Sequence, residues 1–394
     1  MTRPSLVFYC QHSLGLGHLA RSWALADALS SRFRVALWCG GPLPQHPAPP
    51  RACEIVALPP IVSTDDGRLV SVESDDSVDA LLDLRRDIML RRLAVERPAA
   101  IVVELFPFGR RKFTRELLPL LDVARAMSPR PLVVCSVRDI LVGRGEKQQE
   151  HDERARMLAD RYFDAVLVHG DPAFARFDDF FRPLEPMRTP VHYTGFVVGA
   201  ARRRAASRRN GILVSGGGGR FAASLFMTAI DVHGRLKPSI PLTIVAGPFC
   251  EESTWQQLVA AARSVPSIRA RRTVTDLCSE MAESQLSISQ CGYNTALEIV
   301  QARVPALVVP FAERGETEQT DRARRLAALG LVRMLAADRL NAATLAAAVE
   351  KTMAFQPAAI ALDVNGRDRT TRLLTAMVDG ARGFSRAGAA THHP

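Results

Sequence analysis

Residues 289–330 hold the pattern that decides the fold: SQCGYNTALEIVQARVPALVVPFAERGETEQTDRARRLAALG. An apolar run ends at Ser289, the turn Cys291-Gly292 follows, and a helix-period segment leads to a second apolar run at residues 306–309. A strand, a helix and a further strand in this order form the crossover unit of a parallel sheet. The stretch therefore predicts an α/β fold.

The same alternation of short apolar runs and helix-period segments extends over both halves of the chain. In the first half we predict strands at residues 6–10, 34–38, 55–58, 100–104, 132–136, 165–168 and 191–194. In the second half we predict strands at residues 211–215, 242–246, 268–271, 285–289, 306–309 and 331–334. The clearest helices are predicted at residues 18–30, 77–96 and 341–354. This pattern is typical of parallel sheets that helices cover on both faces.

Length and the restart of the pattern predict two domains. A chain of 394 residues is longer than a single hydrophobic core usually serves, and each half opens with a strand and a glycine-rich turn. We expect Rossmann-like domains at residues 1–200 and 211–362, joined by a basic linker at residues 201–210. A helix at residues 363–379 is expected to pack back towards the first domain, and residues 380–394 are expected to be disordered.

Composition and charge exclude several classes of protein. With 47% hydrophobic and 23% charged residues the chain is globular, and its apolar runs are far shorter than the roughly 20 residues that span a bilayer. We therefore expect a cytoplasmic protein. The net charge of +10 attracts anionic partners, although a coding bias towards arginine would also produce it. Aromatic residues are too sparse for a nucleic-acid stacking platform, and the dispersed cysteines predict neither disulfides nor a zinc site.

Each half places glycines directly after its first strand. Gly15, Gly17 and His18 follow the first strand, at the sheet edge where open α/β folds bind ligands. In the second half, Ser215 is followed by the glycines Gly216, Gly217, Gly218 and Gly219. Because adjacent glycines expose backbone N–H groups, this turn predicts a nest for a phosphate. It is not a P-loop, since no Gly-Lys-Ser/Thr follows.

Polar residues with the spacing of a nucleotide site occupy the deciding stretch. Gly292 precedes a helix that begins near Asn294 and Thr295, and a helix N-terminus favours a diphosphate. Glu298, one turn later, is placed to accept hydrogen bonds from ribose hydroxyls. A polar loop suited to sugar hydroxyls follows the next strand and contains Glu316, Glu318 and Gln319.

At these residues the chain resembles glycosyltransferase family 28, which includes the N-acetylglucosaminyltransferase that makes lipid II. The stretches GYNTALE (292–298), VPALVVPF (304–311) and EQ (318–319) resemble its C-terminal domain. Residues 302–305 read ARVP where the family usually has Gly-Val-Pro or Gly-Leu-Pro. The turn at residues 15–18 resembles the family's N-terminal glycine-rich turn without its usual Gly-Gly-Thr-Gly-Gly-His.

The resemblance implies the GT-B fold, with two Rossmann-like domains facing each other across a cleft. It implies inverting transfer of a hexose or N-acetylhexosamine from a UDP-sugar to a hydroxyl acceptor, for which a lipid-linked or cell-envelope glycan is one candidate. Glu298 would bind the ribose, residues 215–219 would lie near the diphosphate, and Gln319 with Glu318 would contact the donor sugar. Helix dipoles and backbone amides would replace a divalent ion, so neither a metal nor another cofactor is expected.

An inverting transfer needs a base that takes the proton of the acceptor hydroxyl. We rank His18 first, Glu104 second and Asp139 third, because each follows or ends a predicted strand of the first domain. Glu104 would otherwise form an ion pair with Arg110 or Arg111, and Asp139 would otherwise pair with Arg138. Arg110 and Arg138 are also candidates for the acceptor side.

Other interpretations remain open. An epimerase or a nucleotide-sugar hydrolase would use the same fold and donor site, and a non-catalytic binding module would keep the donor loops alone. Peripheral contact with an anionic membrane, at its inner face, is expected if the acceptor is lipid-linked. The candidate surface is one predicted helix that carries Arg85, Arg86, Arg91 and Arg92 beside Ile88, Leu90 and Leu93.

Overall fold

The computed structural model describes residues 3–12, 17–44, 48–64, 67–199, 209–218, 222–234, 240–312 and 317–390, apart from the side chains of residues 382–390. The chain divides into two compact units. Unit 1 comprises Met1–Val197 and Leu362–Pro394, and unit 2 comprises Val198–Ala361.

Short strands alternate with helices along both units. The strands, in chain order, are β1 (Ser5–Cys10), β2 (Arg34–Cys39), β3 (Glu54–Ala57), β4 (Ile61–Ser63), β5 (Leu69–Ser71), β6 (Ala100–Glu104), β7 (Leu132–Arg138), β8 (Ala165–His169), β9 (Val191–Tyr193), β10 (Ile212–Ser215), β11 (Leu242–Val245), β12 (Ile268–Arg271), β13 (Leu286–Ser289), β14 (Ala306–Val308) and β15 (Arg333–Met334). The α-helices are α1 (Gly17–Leu29), α2 (Val78–Glu96), α3 (Thr114–Ala126), α4 (Gln148–Tyr162), α5 (Ala223–His233), α6 (Glu252–Ser264), α7 (Leu277–Glu283), α8 (Tyr293–Ala302), α9 (Glu318–Ala328), α10 (Ala342–Met353) and α11 (Gly366–Ala390).

In the described part of unit 1, seven strands form a parallel sheet in the order β3-β2-β1-β6-β7-β8-β9. The strand order reverses between β1 and β6, which are neighbours with Tyr9 opposite Val103. Both strands are almost fully buried, because helices cover the two faces of a parallel sheet. The loops after β1 and β6 therefore leave the same sheet edge at its switch point, where open α/β folds bind ligands.

Unit 2 repeats this arrangement with six described strands in the order β12-β11-β10-β13-β14-β15, all parallel. Its order reverses between β10 and β13, and Ser215 lies opposite Ser289 at their ends. The glycine-rich turn after β10 and the turn that leads into α8 thus start side by side. This register brings the turn after Ser215 and the turn after Ser289 to the same edge of the sheet.

The predicted α/β class with two parallel sheets is confirmed. Each predicted strand is present, and the largest differences are two residues: β7 extends to Arg138, and the strand predicted at residues 331–334 is only Arg333–Met334. The sequence analysis missed the antiparallel pair β4 and β5. Strands of three residues are too short to show the alternation on which such a prediction depends.

Helix α11 belongs to unit 1, although it follows unit 2 in the chain. Leu374 and Val378 lie in one core cluster with Leu19 of α1, and Arg367 Nη2 donates to Asp27 Oδ2 at 2.6 Å. The sequence analysis predicts this helix at residues 363–379 and disorder beyond it, whereas the structure has a helix from Gly366 to Ala390. Residues 366–390 contain no proline and many helix-favouring alanine and arginine residues, which outweigh Gly380 as a helix end. Most of the predicted linker, residues 201–208, lies outside the described residues, as do residues 391–394.

Candidate active site and donor site

His18 and Glu104 meet at the switch point of unit 1. His18 lies in the first turn of α1, directly after the loop from β1, and Glu104 is the last residue of β6. The distance from His18 Nδ1 to Glu104 Oε1 is 2.5 Å. Arg21, one turn further along α1, donates from Nη2 to the same Oε1 at 2.6 Å. The two first-ranked base candidates therefore form one hydrogen-bonded pair.

The charges around this pair keep the imidazole neutral and the carboxylate ionised. Burial lowers the pKa of His18 to about 3, and the nearby charges of Arg138 and Arg110 act in the same direction. Burial alone would raise the pKa of Glu104, but His18, Arg110 and Arg21 together hold it well below its usual range. In this state Nδ1–H donates to the carboxylate, and Nε2 carries a lone pair. The side chain of His18 is 17% exposed, so a substrate can reach it.

The structure separates the roles of the three base candidates. Glu104 is fully buried and engaged by its neighbours, which suits a residue that orients His18. Asp139 is 2% exposed and packs against Gly170, where an added Cβ would lie 3.0 Å from that of Asp139. Asp139 is therefore less accessible to an acceptor hydroxyl than His18 is. His18 is the member of the set that remains accessible.

The other residues predicted on the acceptor side have different positions. Arg110 has a left-handed backbone with φ 59°, and its Nη2 lies 3.4 Å from Glu104 Oε2, so the alternative of an ion pair is confirmed. Arg138 ends β7 and is half-buried. Gly17 opens α1, and Gly15 lies outside the described residues.

His169, a buried histidine at the same sheet edge, was not predicted. His169 ends β8, and its Nε2 and Nδ1 lie 2.8 Å from Ser136 Oγ and 2.8 Å from Thr194 Oγ1. Burial lowers its pKa to about 3, and the charge of Arg21 adds to this effect. In the sequence, His169 is a polar residue at the end of an apolar run, and this position could have identified it. Both ring nitrogens are engaged, which indicates a structural role.

In unit 2 the glycine-rich turn lies against the first turn of α8. Ser215 is buried, and its Oγ accepts from the N–H of Gly217 at 3.3 Å. Gly217 has a positive φ of 56°, and an added Cβ would lie 3.2 Å from Thr295 Oγ1. Gly218 accepts from the N–H of Phe249 at 3.0 Å, and Gly219 lies outside the described residues. The glycines therefore bring backbone against α8, as a phosphate nest requires.

The N-terminus of α8 faces open space. Gly292 is its N-cap, and an added Cβ there would meet nothing within 4 Å. Asn294 and Thr295 follow in the first turn, where a helix directs N–H groups and the positive end of its dipole outward. An anionic group would be stabilised at this position.

Glu298 lies one turn inside α8 and is half-buried. Burial raises its pKa to about 8, and the negative charge of Asp276 adds to the increase. Within the described residues its carboxyl oxygens have no hydrogen-bond donor. A half-buried carboxyl group without a partner is suited to vicinal hydroxyls of a bound ligand.

The side chains of Gln319 and Glu318 form hydrogen bonds within unit 2. Gln319 Oε1 accepts from the N–H of Cys291 at 3.0 Å and from that of Phe311 at 3.2 Å. Glu318 is 1% exposed and bonded to Arg322 Nη2 at 2.6 Å, and Arg322 Nη1 donates to the Cys291 carbonyl at 3.0 Å. Glu318 is thus held by Arg322, and Gln319 Oε1 is engaged by two backbone N–H groups. Glu316 lies outside the described residues.

Helix α2 presents only part of the basic surface considered for membrane contact, because Arg91 is exposed and Arg85 is buried. Arg85 is fully buried, and its Nη2 donates to Glu116 Oε1 at 2.9 Å and to Gln11 Oε1 at 2.7 Å. Leu93 also lies in the core. Arg86 pairs with Asp83 and Asp87, and Arg92 pairs with Glu54. The periodicity located the helix, but not which of its faces is buried.

The described residues contain neither a membrane-spanning helix nor a cluster of metal-ligating side chains. None of the helices there combines the length and the apolarity needed to cross a membrane. In the same residues, His, Cys, Asp and Glu side chains form no group of three or more that could hold a metal ion.

Comparisons with known proteins agree with this architecture. Residues 212–365 match the model of the glycosyltransferase family 28 C-terminal domain. A search of the curated proteins gives no match. Among solved structures the chain is similar to CalG4, the calicheamicin glycosyltransferase, with 18% identity over 100% of both chains and a TM-score of 0.56.

Two further structures are similar over nearly their whole length. MurG of Acinetobacter baumannii shares 17% identity, with 96% of this chain and 95% of that one covered and a TM-score of 0.56. UGT71G1 of Medicago truncatula, complexed with UDP-glucose, shares 12% identity, with 96% and 94% covered and a TM-score of 0.58. Residues 212–365 therefore resemble a glycosyltransferase family 28 C-terminal domain, and the chain is a glycosyltransferase with the GT-B fold.

Proposed function

We propose that this glycosyltransferase moves a hexose or N-acetylhexosamine from a UDP-sugar to a hydroxyl acceptor, with His18 as the base. The observation that carries the proposal is the pair in unit 1. A buried carboxylate binds Nδ1–H of a neutral, accessible imidazole, and Nε2 is therefore a proton acceptor at neutral pH. This is the arrangement by which a carboxylate orients a histidine base.

The donor site belongs to unit 2. The open N-terminus of α8 and the turn at Gly217 favour the diphosphate, and Glu298 accepts hydrogen bonds from the ribose hydroxyls. The Nε2 amide of Gln319 contacts the donor sugar. The similar structure from Medicago truncatula was solved with UDP-glucose, which supports a uridine nucleotide.

The reaction is a single displacement. The acceptor hydroxyl transfers its proton to His18 Nε2, and its oxygen forms the new bond to the anomeric carbon. The bond from that carbon to the β-phosphate oxygen breaks, and the nucleoside diphosphate leaves with the electron pair. Attack opposite the leaving group inverts the anomeric configuration. The α8 dipole and backbone N–H groups stabilise the charge on the leaving group, so we propose that no metal is needed.

Release of UDP from UDP-glucose and UDP-N-acetylglucosamine, measured with a panel of hydroxyl acceptors and with water alone, tests the proposal. We expect acceptor-dependent release that EDTA does not change. His18→Ala should lower the rate by about 10²–10⁴-fold, the usual contribution of a general base. The matched control is His151→Ala. His151 is 15% exposed and lies beside the buried carboxylate of Asp152, away from the pair.

Other outcomes would lead to a different function. Release of UDP with water alone, unchanged by any acceptor, would indicate a hydrolase. A change in the sugar without release of UDP would indicate an epimerase. Nucleotide binding without turnover would indicate a binding module. Full activity of the His18→Ala variant would refute the assignment of the base.

A further inference from the structure

Arg21 of unit 1 is a buried cation next to the proposed base, and no role has been assigned to it so far. The side chain of Arg21 is 1% exposed, and its described partner among the acidic side chains is Glu104. Arg21 and His18 are three residues apart on α1, so they share one face of the helix. Both contact a single carboxylate oxygen, Oε1, at 2.6 and 2.5 Å.

Because Arg21 and His18 bind the same oxygen of Glu104, the His18–Glu104 pair has less freedom to move than it would have without Arg21. Arg21 Nη2 approaches Oε1 from within the same helix that presents His18. The guanidinium group is rigid and keeps its charge at any accessible pH. On the other side, Arg110 Nη2 lies 3.4 Å from Oε2. The carboxylate is thus held by a donor on each oxygen, which fixes the direction of its lone pairs.

We propose that Arg21 is a positioning residue of the transfer reaction. By holding Glu104 Oε1, it keeps the Nδ1–H of His18 on the carboxylate and presents Nε2 to the acceptor. The inference rests on the proposed role of His18 as the base. It adds a residue that touches neither the donor nor the acceptor and acts through Glu104.

The proposal separates two contributions of Arg21. Its charge favours the ionised form of Glu104 and opposes a charge on the imidazole, because a nearby cation destabilises a second one. Its hydrogen bond fixes the carboxylate in one orientation. Arg21→Met removes both contributions, whereas Arg21→Lys keeps the charge and loses the planar donor group.

The test combines ¹⁵N NMR of labelled histidine side chains with steady-state kinetics of UDP release. The His18 signals are identified by their loss in His18→Ala. In the wild type we expect the Nδ1–H tautomer and no protonation of His18 above pH 5. In Arg21→Met we expect mixed tautomers, a His18 titration at higher pH and an acid limb of the kcat profile shifted the same way. We expect kcat to fall about tenfold or more, with KM for the donor unchanged.

The conservative variant and a matched control distinguish positioning from stability. In Arg21→Lys we expect His18 to titrate as in the wild type and kcat to recover in part. This variant also keeps the test informative if Arg21→Met does not fold. Arg85→Lys and Arg85→Met are the controls, because Arg85 is equally buried and binds a different buried carboxylate, Glu116. They should lower the melting temperature and leave the His18 signals unchanged.

One result would contradict the inference about Arg21, and a different result would contradict the assignment of His18 as the base. If the Arg21 variants lose stability but keep the wild-type tautomer and acid limb, Arg21 is only structural and the inference is wrong. If His18→Ala turns over at the wild-type rate, the proposed base itself is wrong, whatever the Arg21 variants show.

Discussion

Glu298, which we propose binds the ribose, carries a carboxyl group whose burial costs stability. Its carboxyl group is half-buried near Asp276 and has no hydrogen-bond donor among the described residues, which raises its pKa to about 8. A free glutamate titrates near pH 4.3. Between these values the unfolded chain releases a proton that the folded chain keeps. Stability therefore falls as the pH rises through this window, the sign expected for a carboxyl group whose folded pKa is raised.

Replacing Glu298 by glutamine should remove this pH-dependent penalty. We expect Glu298→Gln to be more stable than the wild type by ~2 kcal/mol near pH 8, with little difference near pH 4. The full pKa shift corresponds to ~5 kcal/mol, but solvent screens a half-buried group. Chemical denaturation across this range measures the difference, and Glu350→Gln, on the exposed part of α10, is the control. An equal gap at every pH would show that the burial of Glu298 has no such effect.

At the scale of elements, the donor site depends on close contact between the turn after β10 and its neighbours. Gly216 is packed so tightly that an added Cβ would lie 2.5 Å from the Phe226 ring and 2.9 Å from the Ala246 carbonyl oxygen. Gly292, at the start of α8, has open space beside it. Close packing therefore requires a glycine at position 216, whereas packing requires none at position 292.

This difference predicts opposite tolerance to a methyl group. Gly216→Ala should destabilise unit 2 by ~2 kcal/mol, because backbone and an aromatic ring would have to move. Gly292→Ala should cost only the modest loss of a favourable N-cap, about 0.5 kcal/mol. Denaturant titrations of both variants measure these values. Equal stability of the two variants would contradict the packing described for the turn.

At the scale of the whole molecule, apolar runs were enough to predict both parallel sheets, since strands buried on two faces are apolar throughout. The meeting of His18 with Glu104 followed only from the register of β1 and β6, which determines which strand ends are neighbours. Arg21, Arg85 and Glu318 are charged residues that are buried, and burial of a charge depends on a distant partner in the fold. For this reason the sequence wrongly predicted Arg85 on a surface and did not show that Glu318 is buried.

The central claim is that unit 2 holds a uridine nucleotide through Glu298 and α8. Thermal unfolding of the wild type, Glu298→Ala and Glu350→Ala with UDP, GDP, dTDP and CMP tests it most directly. We predict a UDP-selective stabilisation of roughly 2.7 kcal/mol at about 100 times the dissociation constant. The shift should be lost in Glu298→Ala and kept in Glu350→Ala. No shift with any nucleotide, or an equal UDP shift in all three proteins, would contradict the account.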